Sequence, residues 1–303
     1  MESEFIAWLR SRLPSSPILR LGPGDDAAIL RLGHFAECVV TVDMLNDGVD
    51  FHLGRDEPRR IGRKSLAVNL SDLAAMAAKP LAIVVAVVLP THGGRELAVE
   101  LVEGMLPLAE RYQVAIAGGD VNSWDGPLAI SITAIGQVTE HGPLLRSGAR
   151  PGDRIIVTGA FGGSILGHHL DFEPRMHEAL RLNADYPLHA GIDVSDGLAR
   201  DLAHICEESN VGAIVDVDRL PISPAAYQMN DGRSPLVHAL GDGEDFELVL
   251  AVPPDVARDL IESQPIGVPL TDIGEFTVEL EFRQRNSNGQ LAMLEPTGFE
   301  HRF

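Results

Sequence analysis

Hydrophobic and polar positions follow two different periods along this chain, and the changes of period mark its predicted elements. Apolar side chains recur at helical spacing in residues 58–79 and 95–112, so both segments are predicted as helices that bury one face. Residues 36–45, 81–89 and 128–138 are rich in β-branched side chains, which predicts strands. The first half of the chain therefore combines strands with amphipathic helices.

A stretch rich in glycine and proline, residues 139–153, interrupts this pattern. After it the chain resumes with a predicted strand, glycine turn and helix over residues 154–170. We expect a domain boundary here, with an N-terminal domain of residues 1–142 and a C-terminal domain of residues 143–303. Because both halves mix helices and strands, the predicted fold class is α/β (or α+β), with two mixed domains.

Composition and charge exclude several kinds of partner. The 303 residues carry 24 basic and 44 acidic side chains, a formal net charge of −20, which repels nucleic acids and anionic membrane surfaces. Cys38 and Cys206 lie apart in apolar segments, so neither a disulfide scaffold nor a zinc site is expected, and a reducing, cytoplasmic location is predicted. The longest apolar run, residues 81–90, is far shorter than a membrane span.

Carboxylates recur in or beside glycine turns at the predicted strand ends. The motifs are "GDDAA" (24–28), "TVDML" (41–45), "AGGD" (117–120), "IDVSDG" (192–197) and "GDGEDFE" (241–247). None of them carries an adjacent Lys or Arg, and a cluster of unpaired buried carboxylates costs several kcal/mol per ion unless cations neutralise it. Hard oxygen ligands in this number predict Mg²⁺ or Mn²⁺ rather than zinc or copper.

Each motif also has a plain structural interpretation. Asn69 and Asp72 share one face of a predicted helix, which is either a polar spot in a buried helix or the outer face of an amphipathic one. Ser195 or Asp196 could cap a helix N-terminus, and "GDGEDFE" could be a turn with solvated charges. The glycine-rich "TGAFGGS" of residues 158–164 is a weak signal for a phosphate-binding turn. Only the motifs taken together favour a cation site.

These motifs, in this order, resemble those of the thiamine-monophosphate kinases, a family within the superfamily of ATP-using enzymes related to aminoimidazole-ribonucleotide synthetase. The resemblance covers nearly the whole chain, and "NLSDLAAM" (69–76) and "SDGL" (195–198) are its most specific parts. It implies a homodimer whose N-terminal domains pair, with an ATP cleft between the domains. It also implies Mg²⁺-dependent transfer of the ATP γ-phosphoryl group to thiamine monophosphate, which gives thiamine diphosphate and ADP.

Carried over residue by residue, the resemblance implies three sets of site residues. The magnesium-ligand positions are Asp26, Thr41, Val42 (through its backbone carbonyl), Asp43, Asp72, Asp120, Asp193 and Asp196. The ATP-contact positions are Gly119, Asp120, Arg146 and Ser195, and the positions that contact thiamine monophosphate are Asp50, Glu244 and Phe299. No side chain is expected to act as a nucleophile or general base, because several Mg²⁺ ions and Arg146 neutralise the charge on the transferring group. Asp25 is expected either to form the turn beside Asp26 or to hold the metal ligands in place without touching the metal.

The chain departs from the family pattern in three places, one of which is "GGDVNS" (118–123), where "GGDTT" is usual. Asp50 stands where a histidine is common, and Leu106 lies near a position often held by an ATP-stacking tyrosine. The alternatives are another ATP-using member of the superfamily, selenophosphate synthetase-like or hydrogenase-maturation-like, and a non-catalytic nucleotide-binding relative. The first two usually carry a reactive cysteine in an N-terminal loop or a C-terminal cysteine, and neither is seen in this sequence.

Overall fold

The structure, a computed structural model, describes residues 11–14, 16–21, 29–30 and 37–300, so the predicted site residue Asp26 and its neighbour Asp25 lie outside it. The chain divides into two compact units. Unit 1 comprises residues 1–73 and 78–139, and unit 2 comprises residues 74–77 and 140–303. Both units mix helices and strands, which confirms the predicted fold class. The exact boundary between residues 142 and 143 stays a prediction.

Unit 1 is built on a four-stranded sheet in the order β3-β6-β4-β5, with a separate two-stranded sheet of β1 and β2. Its elements are β1 (Leu19–Leu21), β2 (Ile29–Leu30), β3 (Cys38–Asn46), α1 (Pro58–Ala75), β4 (Lys79–Pro90), α2 (Gly94–Arg111), β5 (Ala115–Trp124) and β6 (Ala129–Gln137). The helices and strands predicted from periodicity in this half are confirmed, with ends that differ by a few residues.

One face of this sheet is buried and the other is open. α1 packs on the buried face, where its Leu73 lies against the backbone of β6 at Gly136. The backbones of α1 and α2 lie in direct contact. A Cβ atom at Gly62 of α1 would lie only 2.0 Å from the carbonyl oxygen of Leu101 of α2, so no side chain fits at this position. On the open face, Val40, Val42 and Met44 of β3 are 61–64% exposed. Because side chains alternate between the two faces of a strand, Val42 lies on the open face and its neighbours Thr41 and Asp43 lie on the buried face.

Unit 2 is built on a seven-stranded mixed sheet in the order β13-β12-β9-β11-β7-β10-β8. Its elements are β7 (Arg154–Thr158), α3 (His168–Asp171), α4 (Met176–Asp185), β8 (Ala190–Asp193), α5 (Leu198–Ser209), β9 (Gly212–Asp216), α6 (Pro235–Gly241), β10 (Leu248–Val252), α7 (Pro254–Ser263), β11 (Leu270–Thr277), β12 (Phe282–Arg285) and β13 (Leu291–Met293). Every residue of β10 is buried, so this strand lies in the core.

In the core of unit 2, helix α5 presents Leu202 and Ile205 to the strand residues Ile192, Val215 and Val249. The burial of both faces of the central strands explains their continuous apolar sequence. Across the ranges described above, none of the helices combines the length and apolarity that a membrane crossing needs.

Candidate active site

In unit 1, strand β3 and helix α1 bring together three of the predicted magnesium ligands. Thr41 and Asp43 lie two residues apart on β3, so they share the face that packs beneath α1. The hydroxyl of Thr41 donates a short hydrogen bond to the carboxylate of Asp72 on α1, and the charge of Asp72 acts on Asp43. The side chain of Val42 points to the open face and is 61% exposed, so only its backbone faces this group.

Asp43 is in an unusual electrostatic environment. Its Oδ2 atom is buried and has no hydrogen-bond partner within the described part of the chain. Burial, followed by repulsion from Asp72 and then from Asp50, raises the pKa of the Asp43 carboxyl to about 7. Each of these effects disfavours the charged form of the carboxylate. A cation bound at Asp43 would reverse the effect, because it supplies the missing partner and the missing positive charge.

The oxygen atoms at this position match the preferences of Mg²⁺. Two carboxylates and a hydroxyl are hard ligands, and one of the carboxylates has an unsatisfied buried oxygen. The amide of Asn69, one helical turn before Asp72, adds a second buried oxygen without a partner among the ranges described. Asn69 itself is fully buried, so of the two interpretations of this helix face, the polar spot in a buried helix is confirmed.

Asp120 does not join this group within unit 1. The strand pairing continues across the sheet from Met44 through Ser131 and Ala86 to Asp120, which places Asp120 in an exposed row on the opposite face from Asp43. Three strand spacings separate β5 from β3, or about 14 Å. Over the residues that the structure describes, no group of three or more His, Cys, Asp or Glu side chains is arranged to hold one metal ion.

Gly119, a predicted ATP contact, has a structural reason to be glycine. A Cβ atom at this position would lie 1.9 Å from the carbonyl oxygen of Val85 on the neighbouring strand β4. The close approach of the two backbones therefore excludes any side chain at residue 119. This requirement accounts for the glycine whether or not ATP contacts it.

Asp50, a predicted contact of thiamine monophosphate, lies in the loop after β3. Its Oδ2 atom accepts a hydrogen bond of 2.7 Å from the backbone N–H of Asn46, which closes the turn. The ammonium of Lys64 on α1 donates to the backbone oxygen of Asp50 over 2.6 Å. Lys64 is fully buried, so a buried cation of α1 anchors the backbone of this loop.

In unit 2, the "IDVSDG" motif spans the end of β8 and the turn into α5. Asp193 is the last residue of the strand and is 3% exposed, while Ser195 and Asp196 follow in the turn. The N-cap of α5 is Gly197, and no side chain of the turn caps the helix. The interpretation of Ser195 or Asp196 as an N-cap is therefore wrong, and the capping oxygen comes from Asp201 instead.

Two further segments carry predicted substrate residues to this turn. The backbone N–H of Glu244 donates to the Ser195 carbonyl over 2.7 Å, and the N–H of Phe299 donates to the Asp196 carbonyl over 2.8 Å. Glu244 has a left-handed backbone, with φ 64°, a strained conformation that is typical of functional sites. The aromatic ring of Phe299 is exposed. The structure thus places Ser195, Asp196, Glu244 and Phe299 together.

Arg146 lies within electrostatic reach of Asp201, which holds this turn. Its charge acts on the carboxyl of Asp201, and its backbone oxygen accepts a hydrogen bond of 3.0 Å from the hydroxyl of Ser209 at the end of α5. The Arg146 side chain is exposed, so its guanidinium is accessible to an anionic ligand.

The glycine turn of residues 158–164 does not offer its central amides to a phosphate. The N–H of Gly162 donates to the carboxylate of Asp245, and the N–H of Gly163 donates to Asp242 over 2.9 Å. A Cβ at Gly162 would lie 2.7 Å from the backbone nitrogen of Ala239, so this glycine serves close packing. The prediction of a phosphate-binding turn is therefore wrong, because carboxylates of the protein accept hydrogen bonds from these N–H groups.

The acids of "GDGEDFE" are mostly internal partners rather than solvated charges. Asp242 pairs with Arg233 and with the ring of His238. Glu247 is 3% exposed and forms a two-pronged ion pair with Arg175. The solvated-turn interpretation is therefore wrong for these acids.

The sequence motifs do not include two supporting residues, Lys64 in unit 1 and Asp201 in unit 2. Lys64 lies three residues after Ile61 and four before Val68, on an apolar face of the predicted helix, which distinguishes it from the arginines around it. Asp201 follows Asp196 by five residues, a spacing at which an acid in the first helical turn can reach back to the N-terminal amides.

Comparison with known proteins places both units in one superfamily. Residues 24–138 match the family model described as AIR synthase related protein, N-terminal domain, and residues 150–283 match the model for the C-terminal domain of the same proteins. The thiamine-monophosphate kinase of Rhodopirellula baltica is 43% identical over 310 residues, which cover 99% of this chain and 97% of that protein.

Solved structures agree with this relationship. The crystal structure of thiamine-monophosphate kinase from Stenotrophomonas maltophilia K279a is 35% identical, with a TM-score of 0.77 and coverage of 96% of each chain. AaThiL complexed with AMPPCP and TMP shares the fold, with a TM-score of 0.76 at 23% identity, covering 99% of this chain and 96% of that one. From its identity to these kinases over almost its full length, the chain belongs to the thiamine-monophosphate kinase family.

Proposed function

We propose that this chain transfers the γ-phosphoryl group of ATP to thiamine monophosphate with the help of several Mg²⁺ ions, releasing thiamine diphosphate and ADP. The relatives are named for this kinase activity, and the AaThiL complex holds AMPPCP and TMP. The observation that carries the magnesium part is the buried, unpartnered oxygen of Asp43 beside the carboxylate of Asp72.

Each unit contributes its own set of groups to this proposal. In unit 1, Thr41, Asp43 and Asp72 would hold magnesium. Bound magnesium would neutralise negative charge on the phosphates. In unit 2, Ser195 and Asp196 lie in the turn that Arg146 approaches, and we assign this turn to the phosphates of ATP. Asp193 and the carbonyl of Val42 remain proposed magnesium ligands, as does Asp26, which lies outside the described ranges. Asp120 would bind a different ion from Asp43, because it lies on the opposite face of the unit 1 sheet.

Thiamine monophosphate would be recognised by charge and by stacking. The ligand carries a positively charged thiazolium ring, which the carboxylates of Asp50 and Glu244 attract. The exposed ring of Phe299 is held beside Asp196 and can lie against an aromatic heterocycle. The attacking atom is a phosphate oxygen of the substrate, which is largely ionised at neutral pH, so the chain needs no strong general base.

A homodimer is part of this proposal, and the open face of the unit 1 sheet supports it. Val40, Val42 and Met44 are more than 60% exposed on β3, and Val84 on β4 is 41% exposed. A row of large apolar side chains on one sheet face is typical of an interface. A second copy of the same face would cover it with matching apolar side chains. A cytoplasmic location, which supplies ATP, is also proposed, in keeping with the two free cysteines.

The decisive experiment is a coupled assay of the purified full chain with thiamine monophosphate, ATP and Mg²⁺. We expect equal amounts of ADP and thiamine diphosphate, and we expect Asp72→Asn to abolish turnover while the protein remains folded. Asp56→Asn is the matched control, because Asp56 is also an acid of unit 1 but its carboxylate only accepts from the N–H of His52 in an exposed turn. Wild-type protein that consumes no ATP with this substrate, or full activity of Asp72→Asn, would contradict the proposal.

A further inference from the structure

Asp201 is a buried acid of unit 2 whose carboxylate holds two backbone N–H groups of the "IDVSDG" turn. It lies in the first turn of α5 and is 2% exposed. Its Oδ2 atom accepts from the N–H of Asp196 over 3.0 Å and from the N–H of Gly197 over 3.1 Å. Its own N–H donates back to the Gly197 carbonyl over 2.9 Å. One buried carboxylate thus holds the peptide that joins the strand-end turn to the helix.

This arrangement leaves the side chain of Asp196 out of the capping role. Asp196 precedes the N-cap and would ordinarily be a good capping residue. Because Asp201 satisfies the two amides, the Asp196 carboxylate is not needed there; its nearest basic group is Arg200, at 3.8 Å. The carbonyls of Ser195 and Asp196 are held from the other side by the N–H groups of Glu244 and Phe299.

We infer that Asp201 is a positioning residue, which fixes the Ser195–Asp196–Gly197 turn so that Ser195 and Asp196 face the magnesium-bound nucleotide. The inference rests on the proposed function, since it assigns this turn to Mg²⁺ and ATP. Groups that hold a metal-binding residue in place commonly change metal affinity by about 10- to 100-fold when they are removed.

The test compares Asp201→Ala with Asp201→Asn. Alanine leaves two N–H groups without their acceptor, whereas the amide oxygen of asparagine can accept from both. We expect Asp201→Ala to weaken binding of Mg²⁺ with AMPPCP by at least about tenfold in calorimetric titration. We expect Asp201→Asn to bind within about threefold of wild type. Amide hydrogen exchange in a peptide that spans residues 194–200 should rise in the alanine variant only.

Asp153→Ala is the matched structural control. Asp153 is also a buried acid of unit 2, and it accepts from the backbone N–H of Arg150 over 2.8 Å. We expect this variant to lose thermal stability but to keep wild-type affinity for Mg²⁺ with AMPPCP.

Three results would overturn the inference. Asp201→Ala could bind like wild type despite a lower melting temperature, which would make Asp201 merely structural. Asp201→Asn could be as weak as Asp201→Ala, which would show that charge rather than the hydrogen bonds matters. If Asp201→Ala does not fold, Asp201→Glu takes its place, since its longer side chain displaces the accepting oxygen, and wild-type binding by that variant would count against the inference. Turnover of thiamine monophosphate is measured separately on wild-type protein, so failure of the proposed function is distinguishable.

Discussion

Replacing Asp43 by asparagine should make the metal-free protein more stable at pH 8 while removing its activity. The pKa of the Asp43 carboxyl is raised to about 7 by burial and by repulsion from Asp72 and Asp50. In the unfolded chain the same carboxyl returns to its ordinary pKa, near 3.8. The folded state therefore binds a proton more tightly, and the stability that this proton contributes is complete below pH 4 and lost as the pH rises to about 7.

The size of the effect follows from the shift. Each pKa unit corresponds to about 1.4 kcal/mol, so between pH 5 and pH 8 the Asp43 site lowers the free energy of unfolding by about 2.5 kcal/mol. Asparagine has the same shape but carries no charge, so the free energy of unfolding of the variant does not decrease between pH 5 and pH 8 through this site. Asp201, whose pKa is also raised to about 7 by burial and by Asp196, contributes a similar slope in both proteins and cancels in the comparison.

Urea unfolding of wild type and Asp43→Asn, at pH 5 and pH 8 in EDTA, measures this difference. Adding Mg²⁺ at pH 8 should restore stability to the wild type, by about 2.7 kcal/mol at a hundredfold excess over its dissociation constant, and should have a smaller effect on the variant. Asp272→Asn is the contrasting control in unit 2, because Asp272 forms a two-pronged ion pair with Arg154 and its removal should lower stability at pH 8.

Two outcomes would refute this reasoning. The wild-type and Asp43→Asn proteins could show the same pH dependence in EDTA, which would mean that the Asp43 carboxyl titrates normally. Alternatively, Mg²⁺ could stabilise both proteins equally at pH 8, which would mean that Asp43 does not bind it. In either case the buried oxygen of Asp43 would not mark a cation site.

The remaining predictions concern assembly and the core of unit 2. Met44→Lys introduces a charge into the open sheet face, where Met44 is 64% exposed, and should convert a dimer to monomers in light scattering; a wild-type protein that is already monomeric would contradict the proposed interface. Arg175→Met leaves the buried carboxylate of Glu247 without its ion pair and should lower the free energy of unfolding by about 3–5 kcal/mol at pH 8. Adding Glu247→Gln to Arg175→Met removes the unpaired charge but keeps the shape, so it should recover much of the loss; a double variant as unstable as Arg175→Met alone would show that packing rather than charge is responsible.

Sequence periodicity was sufficient for most of the fold, as β3 and α1 illustrate. The alternation in "TVDML" places Thr41 and Asp43 on one face and Val42 on the other, and the structure has this arrangement. The apolar spacing of α1 likewise predicted a helix, although the structure buries nearly all of this helix rather than one face. Periodicity is a local property, so it could be recognised without knowledge of the packing.

Periodicity could not predict which carboxylates find partners inside the protein. Asp242 and Asp245 accept from the glycine turn about 80 residues away in the sequence, and Glu247 pairs with Arg175 across 72 residues. In the sequence these acids look like those of "IDVSDG". Only long-range packing distinguishes an acid that holds a loop together from one that is available to a ligand.

The sequence by itself determined the family, the mixed α/β class and the positions of the acidic motifs, because motifs and periodicity depend only on residues that are close together in the sequence. The tertiary structure decided what each acid does. It set Asp72 beside Asp43 and buried an oxygen of Asp43 without a partner, and it gave the capping role to Asp201 rather than to Asp196. The physical reason is that the free energy of a charge depends on its burial and on the groups around it, and folding brings those groups together from distant parts of the chain.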